Sequence, residues 1–167
     1  GLETSFKVSR LWPGATNQDS TGLITPSVET IMPRIMKTAG YVTGMAGKWG
    51  QLPLGPGEFG FDEYLRFNGS GVYWKPKDTA TPYILNGVKK TLGRNEYMPD
   101  LMHQFVMSFL AKHRNEPFYL YYSLSHVHAQ IQRTPDSAPD SKDLYADNMA
   151  YMDKLVGKLV AELDRLK

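Results

Sequence analysis

The run Ala39-Gly40-Tyr41-Val42-Thr43-Gly44-Met45-Ala46-Gly47-Lys48-Trp49 constrains the fold more than any other part of the chain. From about Val28 towards it, Ile31, Met32, Ile35, Met36 and Ala39 recur at helical spacing, which predicts an amphipathic helix. Gly40 stands where such a helix needs a left-handed residue to stop. Pro33 lies inside the pattern, so this helix is either kinked or starts late. Val42 to Ala46 then has the composition of a short buried strand, and Lys48 follows it in a glycine-bounded loop. Helix, tight turn and buried strand in succession mark layered α/β proteins, which bind anionic ligands at strand ends.

The rest of the chain continues that alternation. Gly47 to Trp74 reads as a long ordered loop with one short strand at Glu63 to Phe67. Pro82 to Leu85 and Val88 to Leu92 flank Asn86-Gly87, the dipeptide of two-residue hairpins, and predict a small surface ribbon. Pro99 and Asp100 suit a helix start, with Met102, Phe105, Val106, Phe109 and Leu110 as its apolar stripe. Phe118 to Tyr122 is a buried-strand composition, and Gln132 to Lys142 is a loop. A last helix starts near Asp143 with a stripe through Tyr145, Met149, Met152, Val156, Leu159, Val160 and Leu163. Residues 1–25 are an irregular lead-in and 26–167 a partial domain. Two good strands cannot bury three amphipathic helices, so the α/β domain reads as incomplete. Its bare sheet edges would let copies of the chain pair as a homo-oligomer.

Composition closes several alternatives. A net charge of +2 in 167 residues, with no block of like charge, implies no general attraction to nucleic acid or to a membrane surface. No apolar run reaches membrane-spanning length. The chain has no cysteine, which excludes disulfides, thiolate metal sites and a thiol nucleophile within it.

The candidate chemistry lies at the two strand ends. Lys48, among glycines, can approach an anionic oxygen closely, and Trp49 offers a wall beside it. His126 and His128 alternate, which would put both imidazoles on one face of an extended segment, to bind a metal, an oxyanion or a leaving-group proton. The plainer reading is one structural histidine and one exposed one. His103 and His113 are expected at the surface or edge of their helix. Asp62 and Glu63 are adjacent and diverge, so they are no acid/base pair. Asp147 and Asn148 suit a solvated face or a tertiary hydrogen bond. Tyr64, Phe67, Tyr73 and Trp74 either stack on a sugar or aryl ring or pack within their loop.

These residues resemble the sulfatase family. The resemblance lies in Ala39-Gly40-Tyr41 with Gly47-Lys48-Trp49, in Gly60-Phe61-Asp62-Glu63-Tyr64, in Pro117 to Ser123 with His126-Val127-His128-Ala129, and in Tyr145-Ala146-Asp147-Asn148 with Met152-Asp153. It runs in order from about Thr25 to the C-terminus. It implies an alkaline-phosphatase-like mixed sheet between helices, and hydrolysis of sulfate esters with a divalent cation (calcium) and a formylglycine made from Cys or Ser. It also implies a sulfated small molecule or glycan as substrate, and a periplasmic or secreted location. Lys48 matches the family lysine that contacts the sulfate. His128 matches the histidine that contacts the sulfate or assists the leaving group. His126 has no general family role beyond lining the pocket. Departures are Gly50 where the family has a histidine and Gln130 where a proline is usual. The Cys/Ser-x-Pro-Ser-Arg motif, the Asp-Asp pair and the Asp-Asn strand of the family are absent, so no metal ligand is assigned. The resemblance thus implies a central segment, inactive alone. A phosphate-ester hydrolase of the same superfamily and a non-catalytic module for sulfated glycans are the alternatives.

Overall fold

The computed structural model describes residues 31–49, 54–69 and 71–167. The lead-in expected over residues 1–25, and Gly50, lie outside the described residues. The first helix, α1, spans Met32–Thr38. It carries Pro33 in its first turn, where a missing N–H costs nothing. The late start, rather than a kink, is therefore how the proline is accommodated. Gly40 adopts φ 83° beyond its end, and the Gly40 and Tyr41 amides donate to Lys37 and Met36 carbonyls.

Strand β1 spans Val42–Lys48 and is buried from Thr43 to Gly47. It is longer than its apolar core suggests, because Gly47 and Lys48 still pair with Arg66 and Phe67 of β2 (Glu63–Phe67). A short 3-10 turn at Pro56–Phe59 leads into β2. The hairpin β3 (Pro82–Leu85) and β4 (Val88–Thr91) follows, then helix α2 (Met98–Lys112), strand β5 (Phe118–Tyr122) and helix α3 (Leu144–Leu166). The sheet order is β4-β3-β2-β1-β5. β1 is parallel to both β2 and β5, whereas β2–β3 and β3–β4 are antiparallel.

The hairpin is thus not a separate ribbon. Asn86 and Gly87 both have positive φ, 48° and 83°, as a type I′ turn requires. Leu65 pairs with Leu85, and the Asn86 side-chain oxygen accepts the Tyr64 amide at 2.6 Å. The turn was readable locally; its register on β2 was not, because that register depends on a partner far away in sequence.

The core lies between one sheet face and α2. Ala46, Leu65 and Phe67 meet Met98, Met102, Val106 and Leu110, with Leu120 and Tyr122 alongside. Gly44 permits this closeness: a Cβ there would stand 2.7 Å from the Phe109 ring. His103 and His113 are both buried, contrary to the surface placement expected of them. Helix spacing alone did not reveal that neighbouring elements cover those positions. α3 begins at an Asp143 cap that accepts the Ala146 amide at 2.9 Å. It buries Asn148, Tyr151 and Leu155 rather than the expected stripe, leaving Tyr145, Met149, Val156, Val160 and Leu163 exposed.

Candidate active site

The C-terminal ends of β1, β2 and β5 come together because the three strands run parallel. Lys48 is the last residue of β1 and lies in register with Phe67. Beyond β5 the Ser123 amide donates to the Ala46 carbonyl at 2.8 Å, holding the departing chain against β1. Gly47 makes that approach feasible. Its φ is 138°, and a Cβ there would sit 2.5 Å from the Ser123 carbonyl oxygen. Lys48, Phe67, Gly71, Ser123, Leu124, Ser125 and His128 line a cavity of about 170 Å³. Lys48 and His128, distant in sequence, therefore share one pocket. A larger hollow, about 400 Å³, lies between the hairpin and α2; Lys112 on its wall pairs with Glu63 at 2.7 Å.

His128 is exposed. Its Nδ1 hydrogen-bonds the Ala129 carbonyl; as the donor, Nδ1 holds the ring proton and Nε2 is the nitrogen with a lone pair. Gly71 closes the wall next to it: a Cβ there would lie 3.2 Å from His128 Nδ1 and 2.7 Å from the Ala129 oxygen.

His126 goes elsewhere. Strand β5 ends at Tyr122 and the following residues are irregular, so the alternation rule has no strand to act on. The structure does not bring the two imidazoles together. The His126 ring packs among Tyr73, Tyr97 and Tyr151, and its Nε2 lies 3.0 Å from the Tyr97 hydroxyl. Burial pulls the His126 pKa below its ordinary value, Asp100 opposing only in part. Burial pushes the Tyr97 phenol far up, with Tyr73 and Tyr151 adding to it. Tyr97 therefore donates and a neutral His126 accepts. Tyr151 in turn donates to Asp100 at 2.7 Å.

Trp49 also faces away from the Lys48 cavity. Its ring makes edge contacts with Phe59 and Phe61, and Nε1 donates to the Leu54 carbonyl at 2.8 Å. It lines a separate apolar hollow with Ile31, Pro33, Tyr119 and Tyr121. Asp62 and Glu63 lie at the opposite, N-terminal end of β2. Asp62 accepts from Lys37 and from the Thr43 amide, and Glu63 pairs with Lys112 and His113. Asn148 is buried and donates to the Gln132 and Leu144 carbonyls, the tertiary role expected of it. Of the loop aromatics, Phe67 and Tyr73 are buried, and Trp74 Nε1 donates to the Arg133 carbonyl.

Comparison with known proteins places the chain in a family. The sequence model of the Sulfatase family matches residues 14–167. The chain belongs to the sulfatase family. An arylsulfatase from Hemicentrotus pulcherrimus is 28% identical over 167 residues, covering 86% of this chain and 30% of the relative. The human N-acetylgalactosamine-6-sulfatase is 28% identical over 170 residues, covering 90% and 32%. The crystal structure of Ps i-CgsB in complex with k-i-k-neocarrahexaose superposes with a TM-score of 0.63 at 26% identity, covering 80% of this chain and 36% of that one. The chain thus spans about a third of the length of these relatives. Its mixed sheet with flanking helices is the alkaline-phosphatase-like fold of the sulfatases, which the matched structure shares over these elements.

Membership implies a metal and a formylglycine in the full sulfatase. Among the described residues no group of three or more His, Cys, Asp or Glu could hold a metal ion. These residues therefore do not fit a divalent cation by themselves, and the chain holds no Cys/Ser-x-Pro-Ser-Arg motif to become formylglycine. The residues that sequence reasoning missed are Gly71, Ser123, Ser125, Tyr97 and Tyr151. None carried a local signal, since each gains its position from a contact distant in sequence.

Proposed function

We propose that these residues form part of the sulfate-binding side of a sulfate-ester hydrolase acting on sulfated carbohydrate. The observation that carries the reading is the shared cavity of Lys48 and His128 at the ends of parallel strands. The names of the relatives support a carbohydrate substrate: one is an N-acetylgalactosamine-6-sulfatase, and the matched structure holds a neocarrahexaose. In the family a formylglycine supplies the nucleophile and a cation offsets negative charge; residues outside those described would provide both.

Lys48 contributes a compact ammonium to a sulfate oxygen, worth most where the cavity excludes water. With a proton gained at Nε2, His128 gives it to the departing alkoxide oxygen as the S–O bond breaks. The Ala129 carbonyl holds Nδ1–H, which keeps the ring oriented through that transfer.

The test uses the natural-length protein with aryl sulfates and sulfated disaccharides. Lys48→Ala and His128→Ala are each expected to lower kcat/KM by about 10²-fold or more. The 167-residue chain alone is expected to release no sulfate from the same substrates, and metal-dependent turnover by it would overturn that expectation. Preferential hydrolysis of phosphate esters by the natural-length protein would instead place it with the phosphate-ester branch of the superfamily. Sulfated-glycan binding without turnover would make it a binding module.

A further inference from the structure

We infer that Tyr73 is the positioning residue for His128, an inference that takes its functional meaning from the reading of His128 as a sulfate contact. The Tyr73 side chain is fully buried. Its hydroxyl accepts the His128 amide at 2.8 Å, and its own proton faces the Ser125 carbonyl at 3.2 Å and the His128 carbonyl at 3.3 Å. One phenol thus engages both ends of the turn that presents the imidazole. No helix or strand ladder fixes Ser125 to His128, so these bonds set where the ring stands.

The phenol is itself held rigidly. Its ring stacks on Tyr97 with centroids 6.1 Å apart and planes 16° from parallel. The Met98 amide donates to the Tyr73 carbonyl at 2.8 Å, tying it to the start of α2. Tyr97 then reaches the His126 ring. The turn is therefore pinned twice, at the His126 side chain and at the His128 backbone, both through residues anchored to α2. A catalytic group displaced by an ångström can lose about 10²-fold in rate, so such anchoring matters at this point more than elsewhere.

The experiment compares natural-length protein with Tyr73→Phe, which keeps the ring and removes only the hydroxyl, using histidine-labelled NMR. Without ligand, the His128 ring signal should move or broaden in Tyr73→Phe, while His103 and His113 stay in place as folding controls. With inorganic sulfate as the probe, Tyr73→Phe should weaken binding roughly five- to tenfold. The Tyr73→Phe/His128→Ala double variant should bind no more weakly than His128→Ala alone, since the hydroxyl acts only through that ring. An unmoved His128 signal, or losses that simply add, would overturn the inference. A wild-type protein whose His128 ignores sulfate would overturn the sulfate-contact reading instead, and the ligand-free signal would still decide the role of Tyr73.

Discussion

At the residue scale, Gly47 shows how a backbone position can govern a side chain it does not touch. Its positive φ and its contact with the Ser123 carbonyl let the chain leaving β5 lie against β1, which brings Ser123, Ser125 and His128 to Lys48. Gly47→Ala adds a Cβ 2.5 Å from that oxygen in a conformation side chains disfavour. We expect a loss of about 1–3 kcal/mol, read by urea unfolding, together with weaker sulfate binding. Unchanged stability would show that β1 and Ser123 separate without cost. Lys48 and His128 were legible as candidates because one closes an apolar strand and the other follows one in the sequence. The parting of His126 from His128 was not, because a period of two holds only while the strand lasts.

At the scale of elements, α3 carries two apolar faces, and the sequence does not say which one packs. The longer run, Tyr145, Met149, Val156, Val160 and Leu163, stays exposed, while Tyr151 and Leu155 are buried beside Asn148. Tyr151 joins Tyr73 and Tyr97 in an aromatic cluster, and its hydroxyl reaches Asp100 of α2. A polar side chain, Asn148, thus marks the buried face, its amide nitrogen donating to two backbone carbonyls. In the 167-residue chain Leu155→Ala should cost about 2–5 kcal/mol, and Val156→Ala, its exposed neighbour, within about 0.5 kcal/mol. Thermal unfolding of the pair checks this. Equal losses would mean that the helix is rotated from the face described.

At the scale of the whole molecule, charge is divided between the two ends of the parallel strands. The C-terminal end holds Lys48 and His128, and the N-terminal end holds a closed ionic cluster. There His113 of the α2 terminus meets Glu63 of β2 at 2.7 Å and Glu116 at 3.0 Å, and Lys112 also pairs with Glu63. Burial disfavours the His113 imidazolium, but the bonds to Glu63 and Glu116 outweigh it and raise the pKa above 6.5. Burial likewise opposes the Glu63 carboxylate, yet Lys112 and His113 hold its pKa below 4.5. The stabilisation from His113 is therefore full below about pH 6.5 and is lost as pH rises through its raised folded value. That from Glu63 is present above about pH 4.5 and is lost as pH falls through its lowered folded value. The cluster should stabilise most between those limits. His113→Gln should flatten the decline in urea midpoint from about pH 6 to about pH 9, and an equally steep decline in that variant would assign the pH dependence to other groups.

The sequence by itself determined the element types, the Asn86-Gly87 turn, the glycine that ends α1 and the start of α3 near Asp143. Each of these depends on neighbours within one turn or one strand, so the information is local. Tertiary structure alone decided that the hairpin extends the main sheet, which face of α3 is buried, and that His126 enters a tyrosine cluster while His128 joins Lys48. Those outcomes depend on strand register and on contacts between distant segments, where the same periodic pattern is compatible with more than one partner. The fold resolves the choice by which arrangement buries apolar surface while satisfying the polar groups it covers.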